Sequence, residues 1–378
     1  MSVTYIPEKI KFRLWGKAGG RCEYEGCNQR LWLDSLTQAE FNTAYIAHIV
    51  ADRPNGPRGH PELSEQLKAE LSNLMLMCDP HHRLIDREDV SGHPVERLEK
   101  MKAEHEARID VVTDIKPEKQ SHILLYGANI GDQHSPLSYT EAAQGMVPHR
   151  FPASTQPIEI GLKNSSFEDC TDEFWKIETA HLDSMVGQQV RPRFRSGDVT
   201  HISVFALAPQ PLLILLGSLL SDIPVAEVYQ RRKEPCSWSW EDEPSIWQYE
   251  IQRPKSASSK DPALVFALSA TVSDDRIAAV LGANSEIWRV TIPEPHNDFL
   301  RSRIQSSEFR RAVRPLLDEI KSRHGENSVI NVFPAMPVSL AVDFGRIHNQ
   351  KSDLPLVIYD QNRAVGGFLK ALEIGAKT

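Results

Sequence analysis

Two short chelating pairs lie about fifty residues apart near the start of this chain: Cys22 with Cys27, and Cys78 with His81. They constrain the fold more than any other feature. Thiolates grouped with a neutral imidazole suit a tetrahedral zinc ion, and pairs this close in sequence bind as knuckles that tie the ends of the intervening segment together. A structural zinc on Cys22, Cys27, Cys78 and His81 is therefore expected. The stretch from Met1 to Phe12 carries charge without an apolar core, so no secretory signal is visible and a reducing, cytoplasmic compartment is expected. In such a compartment cysteines are ligands or buried thiols rather than disulfides. Cys170 and Cys236 lie alone.

A length of 378 residues exceeds one compact core and predicts two or three domains. The chain holds 43 Lys and Arg against 51 Asp and Glu, a net charge of −8, which excludes a histone-like coating protein. Residues 1–115 hold 15 basic against 19 acidic side chains. A grip on nucleic acid must then come from a local patch or from several weak sites brought together by assembly. The longest apolar run, Pro211 to Leu220, is broken by Gly217 and is about half of the roughly 20 residues that span a bilayer, so no membrane partner is expected.

Pro94 to Ile115 reads as a helix closing the first domain, with Val95, Leu98, Met101 and Ile109 near helical spacing. A charged segment containing Pro117 follows, which divides the chain into domains 1–115 and 116–378. Beyond it come short apolar runs at His122 to Ile130, His201 to Leu207, Leu264 to Leu268, Ser328 to Phe333 and Leu354 to Tyr359. Separated by possible helices, they predict an α/β sheet. Ile202 to Phe205, Pro209, Leu212 and Gly217 reappear 128 residues later as Ile330 to Phe333, Pro337, Leu340 and Gly345. Each copy reads as a strand, a Pro loop and an apolar helix with Gly in its last turn, the connection that places ligand loops at the carboxyl edge of a parallel sheet. This favours duplication over coincidence. Between the copies, Arg231 to Trp247, with Trp238, Trp240 and Trp247, and the Ser/Lys-rich stretch from 255 to 260 read as an exposed excursion.

His82 and Asp86 are four residues apart, so on a helix they share one face and can hold a Mg²⁺ or similar ion with positions left for water and phosphate oxygens. His48 lies in the apolar strand pattern Tyr45 to Ile49, where a lone His is more often a hydrogen-bonded core residue than a catalyst. Arg58, in the Gly-flanked loop from Asn55 to Gly59, is a candidate phosphate clamp and equally a solvated loop charge. The strand His48, Asn73, and His82 directly after the second zinc knuckle resemble the HNH, or ββα-metal, nuclease motif. Met101, Lys102 and His105 resemble the helix that closes many zinc-bearing members. The resemblance implies His48 as general base, Asn73 as the residue that orients it or its loop, and His82 as ligand of the catalytic ion. Two positions depart from the pattern. Ala47 stands where an acidic or His ligand is common, which shifts the metal burden to His82 and Asp86, and His81 stands where Cys is usual.

The whole chain resembles the HNH–SAVED effector endonucleases of bacterial CBASS anti-phage systems. In its second half the resemblance rests on Val204 to Pro209 with Leu212 and Gly217, and on Val332 to Pro337 with Gly345. It implies an α/β protein whose HNH domain is followed by a SAVED domain of two fused Rossmann-like halves. It also implies a cyclic di- or trinucleotide activator made by a partner nucleotidyltransferase, assembly into a dimer or tetramer, and double-stranded DNA as substrate. A ring of nucleotides needs π-faces and phosphate donors. Phe205, Pro209, Trp238, Trp240, Ser269, Thr271, Phe333, Met336, Arg346 and Lys351 occupy loop or helix-start positions that could supply them. For Phe205 and Phe333 a core position is the better reading, and for Trp238 and Trp240 recognition or interface contact is favoured over packing. The same residues admit two rivals: a restriction-type nuclease whose second half reads DNA, and a nuclease-dead module in which zinc only folds the first domain. Base deamination lacks its His-x-Glu and Pro-Cys-x-x-Cys signatures.

Overall fold

A computed structural model describes residues 4–114, 116–130, 137–162, 169, 171–223, 225–241, 248–255, 261–362 and 366–375. Cys170, Trp247 and the stretch 256–260 lie outside the described residues. The chain divides into two compact units, Met1–Lys116 and Pro117–Thr378. Among the described residues no helix is long and apolar enough to cross a membrane.

In the first unit α1 (Glu8–Lys17) is followed by β1 (Ala44–His48), α2 (Leu63–Leu67), β2 (Leu74–Cys78), α3 (Asp79–Arg83) and α4 (Val95–Thr113). β1 and β2 pair antiparallel, with His48 opposite Leu74 and Ala44 opposite Cys78. This register sets the histidine at one end of the ribbon and the third cysteine at the other. β2 is apolar throughout and entirely buried, packing with Leu14, Leu98 and Met101. α3 starts directly on β2: Cys78 is its N-cap and Pro80 sits in the first turn, where a missing N–H breaks no helical hydrogen bond. A π-turn, Leu84–Glu88, continues α3. α4 buries Leu98, Met101, His105 and Ile109, one stripe at helical spacing. His105 Nε2 donates to the Ala18 carbonyl at 2.9 Å and so ties α4 to the end of α1.

The second unit contains two sheets. The first is parallel throughout: β3 (Gln120–Gly127) and β6 (Ile202–Leu207) lie at its centre, with β4 (Phe151–Pro152), β5 (Ile158–Glu159) and β7 (Ala226–Val228) beside them. Its helices are α5 (Tyr139–Met146), α6 (Asp172–Met185), α7 (Arg191–Arg195) and α8 (Gln210–Leu219). The second sheet runs β13-β12-β11-β9-β10-β8, from β8 (Glu250–Gln252), β9 (Ala263–Ala267), β10 (Ile287–Thr291), β11 (Ile330–Ala335), β12 (Leu356–Asn362) and β13 (Gly367–Ile374). Its four inner strands are parallel and its edges antiparallel. Helices α9 (Asp274–Leu281), α10 (Arg303–His324) and α11 (Val338–Ile347) complete it. Parallel sheets are covered on both faces, so their strands read as continuous apolar runs; β9 is buried at all five positions.

The two sequence copies take the same form, β6–α8 and β11–α11, each helix N-capped by its proline, Pro209 or Pro337. The helices pack directly on each other. A Cβ at Gly217 would meet the Val342 carbonyl oxygen, and one at Gly345 would meet that of Ile214. Both contacts are related by the same 128-residue offset, so the crossing has an internal twofold character. α8 is apolar on all sides because it is buried from Pro211 to Leu219 between the halves.

The expected exposed excursion is corrected at Trp238, which is 2% exposed and packs edge-on against Phe205 at 5.1 Å between ring centres. Its backbone approaches α5 at Gly145, where a Cβ would meet Trp238 Cβ at 2.5 Å.

Candidate functional site

At the start of α3, Cys22, Cys27, Cys78 and His81 offer ligand atoms that all lie within 4.8 Å of one another. Among the described residues this is the one group of three or more such side chains so arranged. His81 Nδ1 stands 3.1 Å from Cys78 Sγ and 3.7 Å from Cys22 Sγ. Burial pushes the Cys22 and Cys78 thiols up and the His81 imidazole down. With no cation bound the thiols therefore stay protonated; a divalent ion displaces those protons. Three sulfurs and one nitrogen fit zinc better than a hard cation. Tyr24 stacks on His81 at 4.1 Å, nearly parallel, and its hydroxyl lies 3.0 Å from His93 Nε2. His93 Nδ1 donates to the Asp89 carbonyl at 2.7 Å, which makes Nε2 the acceptor for Tyr24. Sequence reasoning missed this pair; the one signal was an aromatic residue two positions after Cys22.

The second cluster joins the end of β1 to the turn after α3. His82 Nε2 and Asp86 Oδ2 are 3.3 Å apart, as their shared helical face requires. Burial lowers the His82 pKa, which favours the neutral imidazole that can act as a ligand. Tyr45 of β1 stacks on His82 at 5.0 Å, a second contact that sequence reasoning missed. His48 is 7% exposed, and its Nε2 lies 2.9 Å from the Lys68 carbonyl. A carbonyl only accepts, so Nε2 is the donor, and in the neutral ring the lone pair is then on Nδ1. Asn73 makes no hydrogen bond to the imidazole. Its amide receives Val50 N–H at 2.7 Å and donates to the carbonyls of Val50 at 2.8 Å and Leu67 at 3.2 Å. It thereby links the backbone after His48 to the segment whose next carbonyl, Lys68, holds the ring.

Arg58 is neither a free clamp nor a solvated charge. Its side chain is 6% exposed. The guanidinium donates to the carbonyls of Ile49 at 2.7 Å, Ile85 at 2.6 Å and His48 at 3.2 Å, and to Asp86 Oδ1 at 2.7 Å. One nitrogen, Nη2, reaches both His48 and Asp86, so this side chain fixes the spacing between the base candidate and the metal-ligand candidate.

The ligand candidates of the second unit separate into three groups. Phe205, Trp238 and Phe333 are buried rings: Phe205 stacks on Tyr229 and Phe333 on Tyr359. The favoured recognition role for Trp238 is thereby closed. Pro209, Ser269 and Met336 meet at the carboxyl edge, where Gln210 pairs with the Met336 backbone in both directions and Ser269 N–H donates to Ala335. Thr271 is exposed after β9, on the same side. Arg346, in the last turn of α11, lies at the opposite end of that helix and shares a cavity with Trp240. Lys351 is exposed in the loop after it. These nominees do not converge on one pocket.

A family model described as the SMODS-associated and fused to various effectors sensor domain, SAVED, matches residues 182–374. No curated protein matches the chain. Among solved structures it is similar to the Acinetobacter baumannii Cap4 SAVED/CARF-domain containing receptor with the cyclic trinucleotide 3′3′3′-cAAA, at 11% identity and a TM-score of 0.43, covering 84% of this chain and 67% of that one. The same receptor with 2′3′3′-cAAA matches at 12% identity and a TM-score of 0.41, with 82% and 61% covered. The Moraxella osloensis Cap4 receptor matches at 9% and 0.39, with 74% and 60% covered. The chain thus spans about three fifths to two thirds of their length.

Proposed function

The chain belongs to the SAVED family of sensor domains fused to effectors, and from that premise we propose a cyclic-oligonucleotide-activated, metal-dependent DNA endonuclease that acts as an anti-phage effector. Pro117–Thr378 is the sensor and Met1–Lys116 the nuclease. One observation carries the nuclease assignment: Arg58 joins the backbone of His48 to Asp86, which in turn pairs with His82.

The chemistry follows from these side chains. His48 Nδ1, held as acceptor by the Lys68 carbonyl on the far nitrogen, takes a proton from the attacking water. Asn73 keeps that carbonyl and the chain after His48 in register through its three backbone bonds. His82 Nε2 and Asp86 Oδ2 would hold a Mg²⁺ or similar ion, which when bound supplies charge neutralisation to the phosphodiester and to the departing oxygen. Arg58 aims Asp86 without itself reaching substrate. Cys22, Cys27, Cys78 and His81 would hold the structural zinc that anchors α3. The acidic balance of the first unit supports assembly of several weak sites on one duplex, driven by the ring and stable as a dimer or tetramer.

The test is cleavage of a supercoiled plasmid with Mg²⁺, with and without a panel of cyclic di- and trinucleotides. Cutting should require both, and His48→Ala should slow it by about 10² to 10⁴. A His48→Ala protein that cuts as fast as the parent overturns the mechanism. A second reading, a zinc-folded module without nuclease activity, draws support from Arg58 already holding Asp86 Oδ1. It requires ring binding with no cleavage under any divalent ion.

A further inference from the structure

α1 carries Lys9, Lys11, Arg13 and Lys17 against the single carboxylate of Glu8. The rest of residues 1–115 is acidic, with 11 Lys and Arg against 18 Asp and Glu. The helix buries Leu14, and Ile6 and Ala18 just beyond its ends join the same core. Its opposite face is open. Lys9, Phe12, Arg13 and Gly16 are exposed there, and Tyr5 is exposed just before the helix. Phe12 is 82% and Tyr5 74% exposed, more than any other aromatic side chain among the described residues. A Cβ added at Gly16 would meet nothing within 4 Å. Lys11 pairs with Glu8 at 2.7 Å and Lys17 with Glu106 at 2.9 Å, which leaves Lys9 and Arg13 as cations without an ion pair among the described residues.

We propose that this face of α1 docks on the sugar–phosphate backbone of double-stranded DNA. Lys9 and Arg13 are helical neighbours at i and i+4, and their ammonium and guanidinium groups donate to phosphate oxygens. Phe12 and Tyr5 lay apolar rings against the deoxyribose faces, contacts that position the duplex without reading its sequence. Gly16 lets the main chain approach where a longer side chain would hold the duplex off. A straight helix matches a stiff duplex, whereas an unpaired strand has to be ordered before it can lie along the same face. An anionic membrane offers similar charge. With Ile6, Leu14 and Ala18 turned into the core, however, only two rings remain to enter a bilayer.

The face begins beside the candidate nuclease cluster. The Thr4 hydroxyl donates to Asp52 Oδ2 at 2.6 Å, and Asp52 stands four residues past His48. α1 also packs on the 3₁₀ turn Leu71–Asn73, whose Asn73 side chain holds the backbone after His48. The inference rests on the nuclease reading for why DNA is the polymer at hand; the patch then gives an acidic unit a local grip next to its base candidate.

Fluorescence anisotropy of a short labelled duplex of mixed sequence, titrated with the full chain and no added divalent ion, tests the assignment. The parent should bind weakly and with salt dependence between about 50 and 200 mM. Combining Lys9→Gln with Arg13→Gln removes two phosphate contacts and should lower the slope of log affinity against log salt by about 1.8. Phe12→Ala should weaken binding severalfold with the slope unchanged. Both variants should melt with the parent, since neither change reaches the core. Lys100→Gln, an exposed cation on α4, should alter neither affinity nor slope. Absence of duplex binding, an unchanged slope in the double variant, parent affinity in Phe12→Ala, or an equal loss in Lys100→Gln overturns the proposal. So does tighter binding to an unpaired strand, or to vesicles of phosphatidylserine and phosphatidylcholine, than to the duplex. A chain that binds as expected yet cuts nothing under any divalent ion removes the nuclease and keeps the surface; one that cuts through His48 with an unchanged slope in the double variant does the reverse.

Discussion

Replacing Gly217 by Ala tests the packing that joins the two halves of the sensor. A methyl there would sit 1.9 Å from the Val342 carbonyl oxygen and 3.0 Å from the Arg346 nitrogen. Both are main-chain atoms of a helix, so neither can turn aside as a side chain does. The helices must part along a surface where every residue of α8 from Pro211 to Leu219 is buried. Overpacking of this kind costs about 1–3 kcal/mol, and more where backbone must move. The opposing gain is the helix propensity of Ala over Gly, about 1 kcal/mol. With main chain as the neighbour the cost lies at about 2–3 kcal/mol, so the net expectation is a loss of about 1–2 kcal/mol. At about 2–4 °C per kcal/mol for a unit of this size, the second unit should melt roughly 2–8 °C lower by scanning calorimetry. Gly16→Ala in α1 is the control: nothing lies within 4 Å of its added Cβ, so propensity acts alone and the first unit should gain about 0.5–1 kcal/mol. A Gly217→Ala protein that melts at or above the parent refutes the close-approach argument.

The metal cluster predicts one zinc per chain by elemental analysis; Cys78→Ser should release it, and a strong chelator should unfold the first unit while the second keeps its transition. Retention of a full equivalent by the Cys78→Ser protein would count against the four-residue site. Asn73→Ala strips the Val50 N–H and two carbonyls of their partners and should destabilise the first unit by about 2–4 kcal/mol in urea melts; a loss below about 0.5 kcal/mol would dismiss its anchoring role. Burial raises the Glu178 carboxyl from near 4.5 to about 7, and neither oxygen has a hydrogen-bond partner. The folded chain then keeps a proton that the unfolded chain gives up, so stability is full below about pH 4.5 and falls as pH rises toward 7. Glu178→Gln should flatten part of that slope and stabilise the protein at pH 8 by on the order of 1–3 kcal/mol, Asp360, also raised to about 7 by burial, keeping the rest. Identical pH profiles for parent and variant would refute this.

What could be read from the sequence was carried by short-range spacing. Cys22, Cys27, Cys78 and His81 converge because each knuckle spans a few residues and β2 delivers the second knuckle straight into α3. The sheet strands sit within a few residues of the apolar runs, since burial on both faces leaves few polar interruptions, such as Ser203 in β6 and Asn331 in β11. His82 and Asp86 meet because a helical turn sets four-residue spacing whatever surrounds it. The readings that failed depended on partners distant in sequence. Arg58 looked like a loop cation, yet its φ of 58° and its bonds to Ile49, His48, Ile85 and Asp86 turn it inward. Trp238 stood among charged residues, and only Gly145, more than ninety positions earlier, makes room for it.

The repeat at 128 residues shows why one glycine in each copy says more than the surrounding apolar pattern. Leu212 and Leu340 are buried as any core leucine would be, and many residues of similar size would fill their places. At Gly217 and Gly345 the neighbour is the main chain of the other copy, and no side chain fits. A residue that is needed only because its own duplicate lies against it ties the strand–loop–helix unit to its partner. That crossing sets both helix N-termini, and with them Pro209 and Met336, on one edge of the sensor. If the proposed ring binds at that edge, its site depends on how the halves pack, and a substitution at the crossing should weaken ring binding even though it touches no ligand.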